Sequence, residues 1–216
     1  MPFAKPDVLH PLILPDGTVH KPNVFLKPAI DHPNISVGDY TYAHNAGVPK
    51  DWASVLAPYL FPGAPERLEI GKFCQIAEGV EFVTSTANHD MRGLSTYPFP
   101  IFDEARFRDY VTSLPPGRDT VVGHDCWLGR QAMVLPGARI GSGVIVGARA
   151  VVSGVVPDYA VVAGNPAKVV RMRFSDADIA RLLEVAWWDW PIKAIEAAMP
   201  VLEAGDLGAL EALRPE

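Results

Sequence analysis

From Val122 onward, aliphatic residues fall at every sixth position: Val122, Leu128, Val134, Ile140, Val146 and Val152. The residues that follow them are Gly123, Gly129, Leu135, Gly141, Gly147 and Ser153. Isoleucine, leucine and valine fill about a quarter of the chain, so six in one phase arise by chance on the order of once in 10⁴ starting points. A second column shares the register four residues on, at Cys126, Ala132, Ala138, Val144, Ala150 and Val156, all small or β-branched. Each period thus has two inward positions. An earlier copy reads Ile70-Gly71 with Cys74, Ile76-Ala77 with Val80, then Phe82-Val83, and a still earlier fragment is Val37-Gly38.

A period of six matches neither an amphipathic helix nor a plain strand, whereas it suits a short strand and a sharp corner repeated around a solenoid. Glycine and other small residues are expected to supply the tight or positive-φ corners. Three such sides make one coil, and the predicted fold is all-β dominated: a parallel β-helix of hexapeptide repeats over 34–173. Ile70 and Val122 are not separated by a multiple of six, so a long excursion must leave the coil at about 84–121, and an earlier one is expected at about 43–69. Residues 1–33 read as an N-terminal extension. Beyond the repeat, Ser175 with Asp178 three residues on forms a variant capping box that predicts a helix over 176–188. Pro191 interrupts it, and IKAIEAAM and LGALEAL predict two more short helices, so 174–216 reads as a helical segment. Trp187, Trp188 and Trp190 are expected to pack against the side of the coil.

Composition narrows the chemistry. The chain has 216 residues, 21 prolines and a formal net charge of -6, which argues against general attraction to nucleic acid or an anionic membrane. A polyanionic ligand needs a local basic cluster, and Lys168, Arg171 and Arg173 supply one just after the last coil. No apolar run is long enough to span a bilayer, and MPFAKPDVLHPLILPDG is too broken by proline for a signal h-region, so a cytoplasmic protein is expected. Cys74 and Cys126 occupy the small inward slot and read as reduced, buried thiols. Neither a zinc-ligand spacing nor a G-x-S-x-G elbow accompanies them, and no metal is expected. Of the six histidines, His10, His20 and His32 lie in the proline-rich N-terminal region, His44 heads the first excursion, and His124 is outward on a repeat. His89 stands where the second excursion leaves the coil.

ISVGDYTY, IGKFCQIAEGVEF, ANHDMRGLSTYPF, VVGHDCWLGRQAMVLPGARIGSGVIVGARAVV, AGNPAKVVRMRF and AWWDWP resemble segments of the hexapeptide xenobiotic acetyltransferases, from about Asn34 to the C-terminal helices. That family includes type B chloramphenicol and streptogramin A (virginiamycin) acetyltransferases. The resemblance implies a left-handed coil, an exception to the usual right-handed crossover. It also implies a homotrimer with active sites between subunits, and acetyl transfer from acetyl-CoA to a drug hydroxyl. Residue by residue, it makes His89 of the Asn88-His89 pair the general base, a role that suits histidine as a residue type because its unperturbed pKa is about 6.5. It places Tyr42, Tyr59 and Trp127 in the acceptor pocket, Ala148 and Ser153 along the pantetheine arm, and Lys168 and Arg171 at the CoA phosphates. A basic residue is common in the family just after the position of Ser153; here Gly154 stands there, which puts more of the CoA grip on Lys168 and Arg171. Acetylation of a sugar or another small metabolite, and a non-catalytic trimeric scaffold, are the alternatives the sequence leaves open. A metal hydratase on the same coil would need three converging histidines, and only His124 lies within the repeats.

Overall fold

The computed structural model describes residues 3–113 and 116–215. Three sheets of short strands form three walls, and the chain visits them in rotation. One wall has five strands, in the order Val155–Val156, Arg139–Ile140, Thr120–Val122, Leu68–Ile70, Ile35–Val37. The second has three, Val151–Val152, Met133–Val134 and Glu81–Phe82. The third has seven, Asn23–Phe25, Tyr42–His44, Gln75–Ile76, Trp127–Leu128, Ile145–Val146, Ala160–Ala163 and Lys168–Met172. All neighbours pair in parallel except at the two ends of the seven-stranded wall, where Asn23–Phe25 and Lys168–Met172 join antiparallel. The N-terminal extension therefore contributes a strand to the coil, and the basic tail is a strand as well.

All twelve residues of the two inward columns from Val122 to Val156 are buried, none more than 6% exposed. Stacking them removes apolar surface from water along the whole axis, which is what makes the six-residue period cooperative. The thiols follow the same rule: Cys74 Sγ–H donates to the Gly123 carbonyl at 3.1 Å and Cys126 Sγ–H to that of Gly141 at 3.0 Å. One inward position shifts. Val156 pairs with Ile140 and so takes the aliphatic column, not the small slot. The cause is a corner at Ser153–Gly154 that is two residues shorter than its counterparts, with Gly154 at φ 68°. Ala160 and Val162 then continue the columns.

The corners also differ from expectation. The left-handed residue is not the glycine after the aliphatic but the residue two positions later: Phe73, Asp125, Gln131, Arg149 and Tyr159 all have positive φ, as do Gly79, Gly137 and Gly143. The glycines after the aliphatics answer a different demand, close stacking of coils. A Cβ on Gly38 would lie 2.6 Å from Gly71 C, one on Gly71 2.4 Å from Gly123 O, one on Gly123 2.6 Å from Ser142 N and one on Gly141 2.6 Å from Asp158 N.

The first excursion departs after His44 and rejoins at Leu68. Its short helix Trp52–Leu56, capped by Asp51, buries Trp52, Ala53 and Leu56 against the coil beside Glu81–Phe82. It stands where a third side of the first coil would be. The second excursion departs after Phe82 and rejoins at Thr120, carrying the helix Glu104–Ser113. Its Met91, Leu94, Tyr97, Phe99 and Phe102 are exposed. At the C-terminus, Ser175 accepts from Asp178 N–H as the cap requires, but the helix ends at Val185, because Ala186 turns left-handed. Residues Trp187–Asp189 follow as a 3-10 turn, then helices Ile192–Ala204 and Leu207–Ala212. Two of the tryptophans dock the segment on the coil as expected, Trp188 stacking on His124 at 5.2 Å and Trp187 lying 4.9 Å from Phe73, whereas Trp190 packs within the C-terminal segment and its Nε1–H donates to the Val185 carbonyl.

Candidate active site

The seven-stranded wall aligns one outward row across six strands. Tyr42 pairs with Gln75, Gln75 with Trp127, Trp127 with Ile145, Ile145 with Val161 and Val161 with Arg171. Neighbouring strands are spaced at about 4.8 Å, so Trp127 stands about 10 Å from Tyr42 and about 14 Å from Arg171, measured along the wall. Trp127 is 51% exposed, so its ring stands out from the wall into solvent. The sequence thus brings Tyr42, Trp127 and Arg171 onto one surface, with Gln75 and Ile145 between them.

His89 and Tyr59 belong elsewhere. The second excursion leaves at the corner joining the three- and five-stranded walls, opposite the seven-stranded wall. Thr86, three residues before His89, donates its hydroxyl to the Tyr59 carbonyl, which ties the two excursions together at that corner. Of the six histidines, His89 alone is exposed. The others are engaged: His124 Nδ1 accepts from Lys72 N–H at 3.0 Å under the Trp188 ring, and burial lowers its pKa. His44 Nδ1 lies 2.6 Å from Asn23 Oδ1 with His20 stacked on its ring, His10 meets the Asn23 carbonyl, and His32 Nδ1 accepts from Asn34 N–H.

Ser153 sits on the same corner column as the root of that excursion, two coils further on, or about 10 Å along the axis. Ala148 lies at the other end of strand Val151–Val152, on the corner between the seven- and three-stranded walls. Lys168 faces Ala163, whose Cβ lies 3.1 Å from where one on Gly147 would stand, so Lys168 is two strand spacings, about 10 Å, from Gly147, the neighbour of Ala148. All four residues Ala148, Ser153, Lys168 and Arg171 are exposed. Among the described residues no group of three or more His, Cys, Asp or Glu is placed to hold a metal ion.

Residues 119–154 match the bacterial transferase hexapeptide family, described as six repeats. The chain is 38% identical over 190 residues to a chloramphenicol acetyltransferase of Agrobacterium fabrum, covering 87% of this chain and 90% of the relative. It is 38% identical over 192 residues to a virginiamycin A acetyltransferase of Staphylococcus aureus, covering 88% and 86%. A probable macrolide acetyltransferase of Lysinibacillus sphaericus is 40% identical over 166 residues, covering 75% and 91%. The chain belongs to the hexapeptide-repeat xenobiotic acetyltransferases. It is an acyltransferase.

In this acetyltransferase two features of the site region escaped the sequence reading. Gln75 was findable, since it holds the outward slot before the inward Ile76. Glu66 was not: it lies in a non-periodic excursion, yet its carboxyl is buried and accepts from Thr86 N–H at 2.9 Å. The acetyltransferase also has a cavity of about 530 Å³ between the coil and the C-terminal helices, lined by Asp125, Tyr159, Arg173 and Trp187 among others. Burial pushes the Asp125 carboxyl up to about 6, against the lowering effect of Arg173 at 3.7 Å. None of the eight residues assigned a site role from the sequence lines this cavity, but Arg173, the third member of the expected basic cluster, does: its guanidinium turns to the Gly143 carbonyl and Asp125.

Proposed function

We propose that the protein transfers an acetyl group from acetyl-CoA to a hydroxyl of an antibiotic of the streptogramin A or chloramphenicol type, as a homotrimer of left-handed coils. The observation that carries this reading is the disposition of the two halves of the site. Tyr42 and Trp127 occupy one wall of the coil, and His89 leaves from the opposite corner. A wall and the corner opposite it are brought together when copies pack in a closed ring, which makes each pocket the work of two subunits. The names of the relatives, acting on chloramphenicol, macrolide and virginiamycin A, support an apolar drug as acceptor. No described helix is long and apolar enough to cross a membrane, in keeping with a cytoplasmic enzyme.

In this reading Tyr42 and Trp127 of one subunit, with Tyr59 of the next, hold the acceptor. His89 takes the proton of its hydroxyl as the oxygen attacks the acetyl carbonyl carbon. The tetrahedral adduct then collapses, the carbon–sulfur bond breaks, and the imidazolium returns the proton to the departing thiolate. CoA supplies the activated acyl group, so a protein nucleophile is not required. Its pantetheine arm runs past Ala148 and Ser153 while Lys168 and Arg171 meet the phosphates through charge-assisted bonds.

A screen of acetyl-CoA turnover, followed by thiol release, with chloramphenicol, virginiamycin M and simple sugars tests the assignment. Turnover with an antibiotic is expected; turnover with a sugar alone moves the acceptor class, and none with any acceptor overturns the reading. Sedimentation at micromolar concentration is expected to give three times the 23.4 kDa of the chain; a mass near the single-chain value contradicts the shared site.

A further inference from the structure

We infer that Glu66 is a positioning residue for the reaction, a buried brace that fixes the stem from which His89 projects; this rests on the proposed role of His89. Glu66 lies at the end of the first excursion, two residues before the strand Leu68–Ile70, and is 1% exposed. A carboxylate there forgoes its hydration and must be doing something specific in return. Its Oε1 accepts from the backbone N–H of Thr86 on the outgoing stem of the second excursion. Its Oε2 finds no hydrogen-bond partner among the described residues and presses on the returning stem: a Cβ built on Gly117 would stand 1.6 Å from it. One carboxyl group thus touches both stems of the excursion, and only glycine fits opposite it.

The surrounding bonds extend the same brace. Asn34 Nδ2 donates to the carbonyls of Ala64 and Glu66 at 2.8 and 2.9 Å, which fixes the backbone that carries the carboxyl. Arg67 N–H donates to Asp119 Oδ1 at 2.8 Å on the returning stem, and Arg118 N–H to Ser85 Oγ at 3.3 Å across the two stems. Thr86, gripped by Glu66 through its N–H, holds the Tyr59 carbonyl through its hydroxyl. Glu66 therefore sets the outgoing stem three residues before His89 and, through Thr86, its distance from Tyr59. A misplacement of about 1 Å in a reacting group can cost about 10²-fold in rate, so this anchoring reaches the chemistry without contact to substrate.

The experiment measures steady-state kinetics of the full-length enzyme with the acceptor it turns over. Glu66→Ala is expected to lower kcat by about 10- to 100-fold with the KM for acetyl-CoA changed less than about twofold, because Lys168 and Arg171 stand on the seven-stranded wall, away from the brace. Glu66→Gln keeps an oxygen that can accept from Thr86 N–H and is expected to recover most of the rate, which a loss of generic packing would not predict. In a His89→Ala background, adding Glu66→Ala is expected to leave the residual rate unchanged, the mark of action through one group. If His89→Ala cripples the enzyme while Glu66→Ala keeps wild-type kcat, the brace is refuted and the proposed function stands. If His89→Ala itself keeps kcat, it is the proposed function that fails. Should Glu66→Ala not fold, Gly117→Ala decides, since its methyl displaces the carboxyl: a fall in kcat at constant acetyl-CoA KM supports the brace, and wild-type kcat refutes it.

Discussion

Gly71 offers a test of how closely the coils are stacked. In Gly71→Ala the new methyl would lie 2.4 Å from the Gly123 carbonyl oxygen, 2.6 Å from its carbon and 2.9 Å from His124 N, all backbone atoms. Relaxed contacts lie at about 3.5 Å, so the two coils must part by about 1 Å, and their spacing is only about 4.8 Å. That movement strains the bond from Gly71 N–H to the Val122 carbonyl, 2.8 Å long. Overpacking costs about 1–3 kcal/mol, and a weakened backbone bond adds about 1 kcal/mol. A loss of about 3 kcal/mol corresponds to roughly 6–12 °C in Tm for a chain of this size. Gly147→Ala is the matched control, at the equivalent place in its repeat, because its methyl would meet the Ala163 side chain at 3.1 Å and no backbone atom closer than 3.3 Å. There the loss should be about 1 kcal/mol. Thermal melts at one fixed protein concentration compare the two, association making Tm concentration-dependent. Equal losses, or a Gly71→Ala melt within 2 °C of wild type, would refute the claim that these glycines exist for close stacking.

Other outcomes are equally open to measurement. Lys168→Ala and Arg171→Ala should each raise the KM for acetyl-CoA more than the KM for the acceptor, and equal effects on both would remove these residues from the phosphate site. Asp125, held at about 6 by burial, binds its proton more tightly in the folded state. Its contribution is therefore present below about pH 4 and lost as pH rises through about 6, a change on the order of 3 kcal/mol. Asp125→Asn should accordingly gain in Tm relative to wild type between pH 4.5 and pH 7.5, and a pH-independent difference would count against it.

The inward columns were legible in the sequence because stacking leaves one packing solution for each position: Val122, Cys126 and Leu128 have no other place to hide. The corners were less legible. Glycine after each aliphatic suggested a positive φ, whereas the demand there is for room between coils, and the left-handed conformation falls on Phe73, Asp125 or Gln131, where no residue type announces it. The shift at Val156 was hidden because a corner two residues shorter still presents valines in sequence. In the candidate site, His89 stood out by its position at the root of an excursion, and the structure adds that it alone of six histidines is exposed. Register could have supplied Gln75. Glu66 could not be read, since its meaning depends on Thr86 and Gly117, 20 and 51 residues along the chain, meeting at one corner.

The central claim is that His89 removes the proton of the acceptor hydroxyl, and the most direct measurement is the kinetics of His89→Ala with the acceptor the enzyme turns over. Loss of a general base predicts a fall in kcat of about 10²–10⁴-fold with a much smaller change in the KM for acetyl-CoA. In the wild type kcat should fall as pH drops through the histidine's pKa in the ternary complex, because a protonated ring cannot accept the proton, and that limb should vanish in the variant. A His89→Ala enzyme that keeps near-normal kcat, or one that retains the acid limb, would place the base elsewhere and contradict the account.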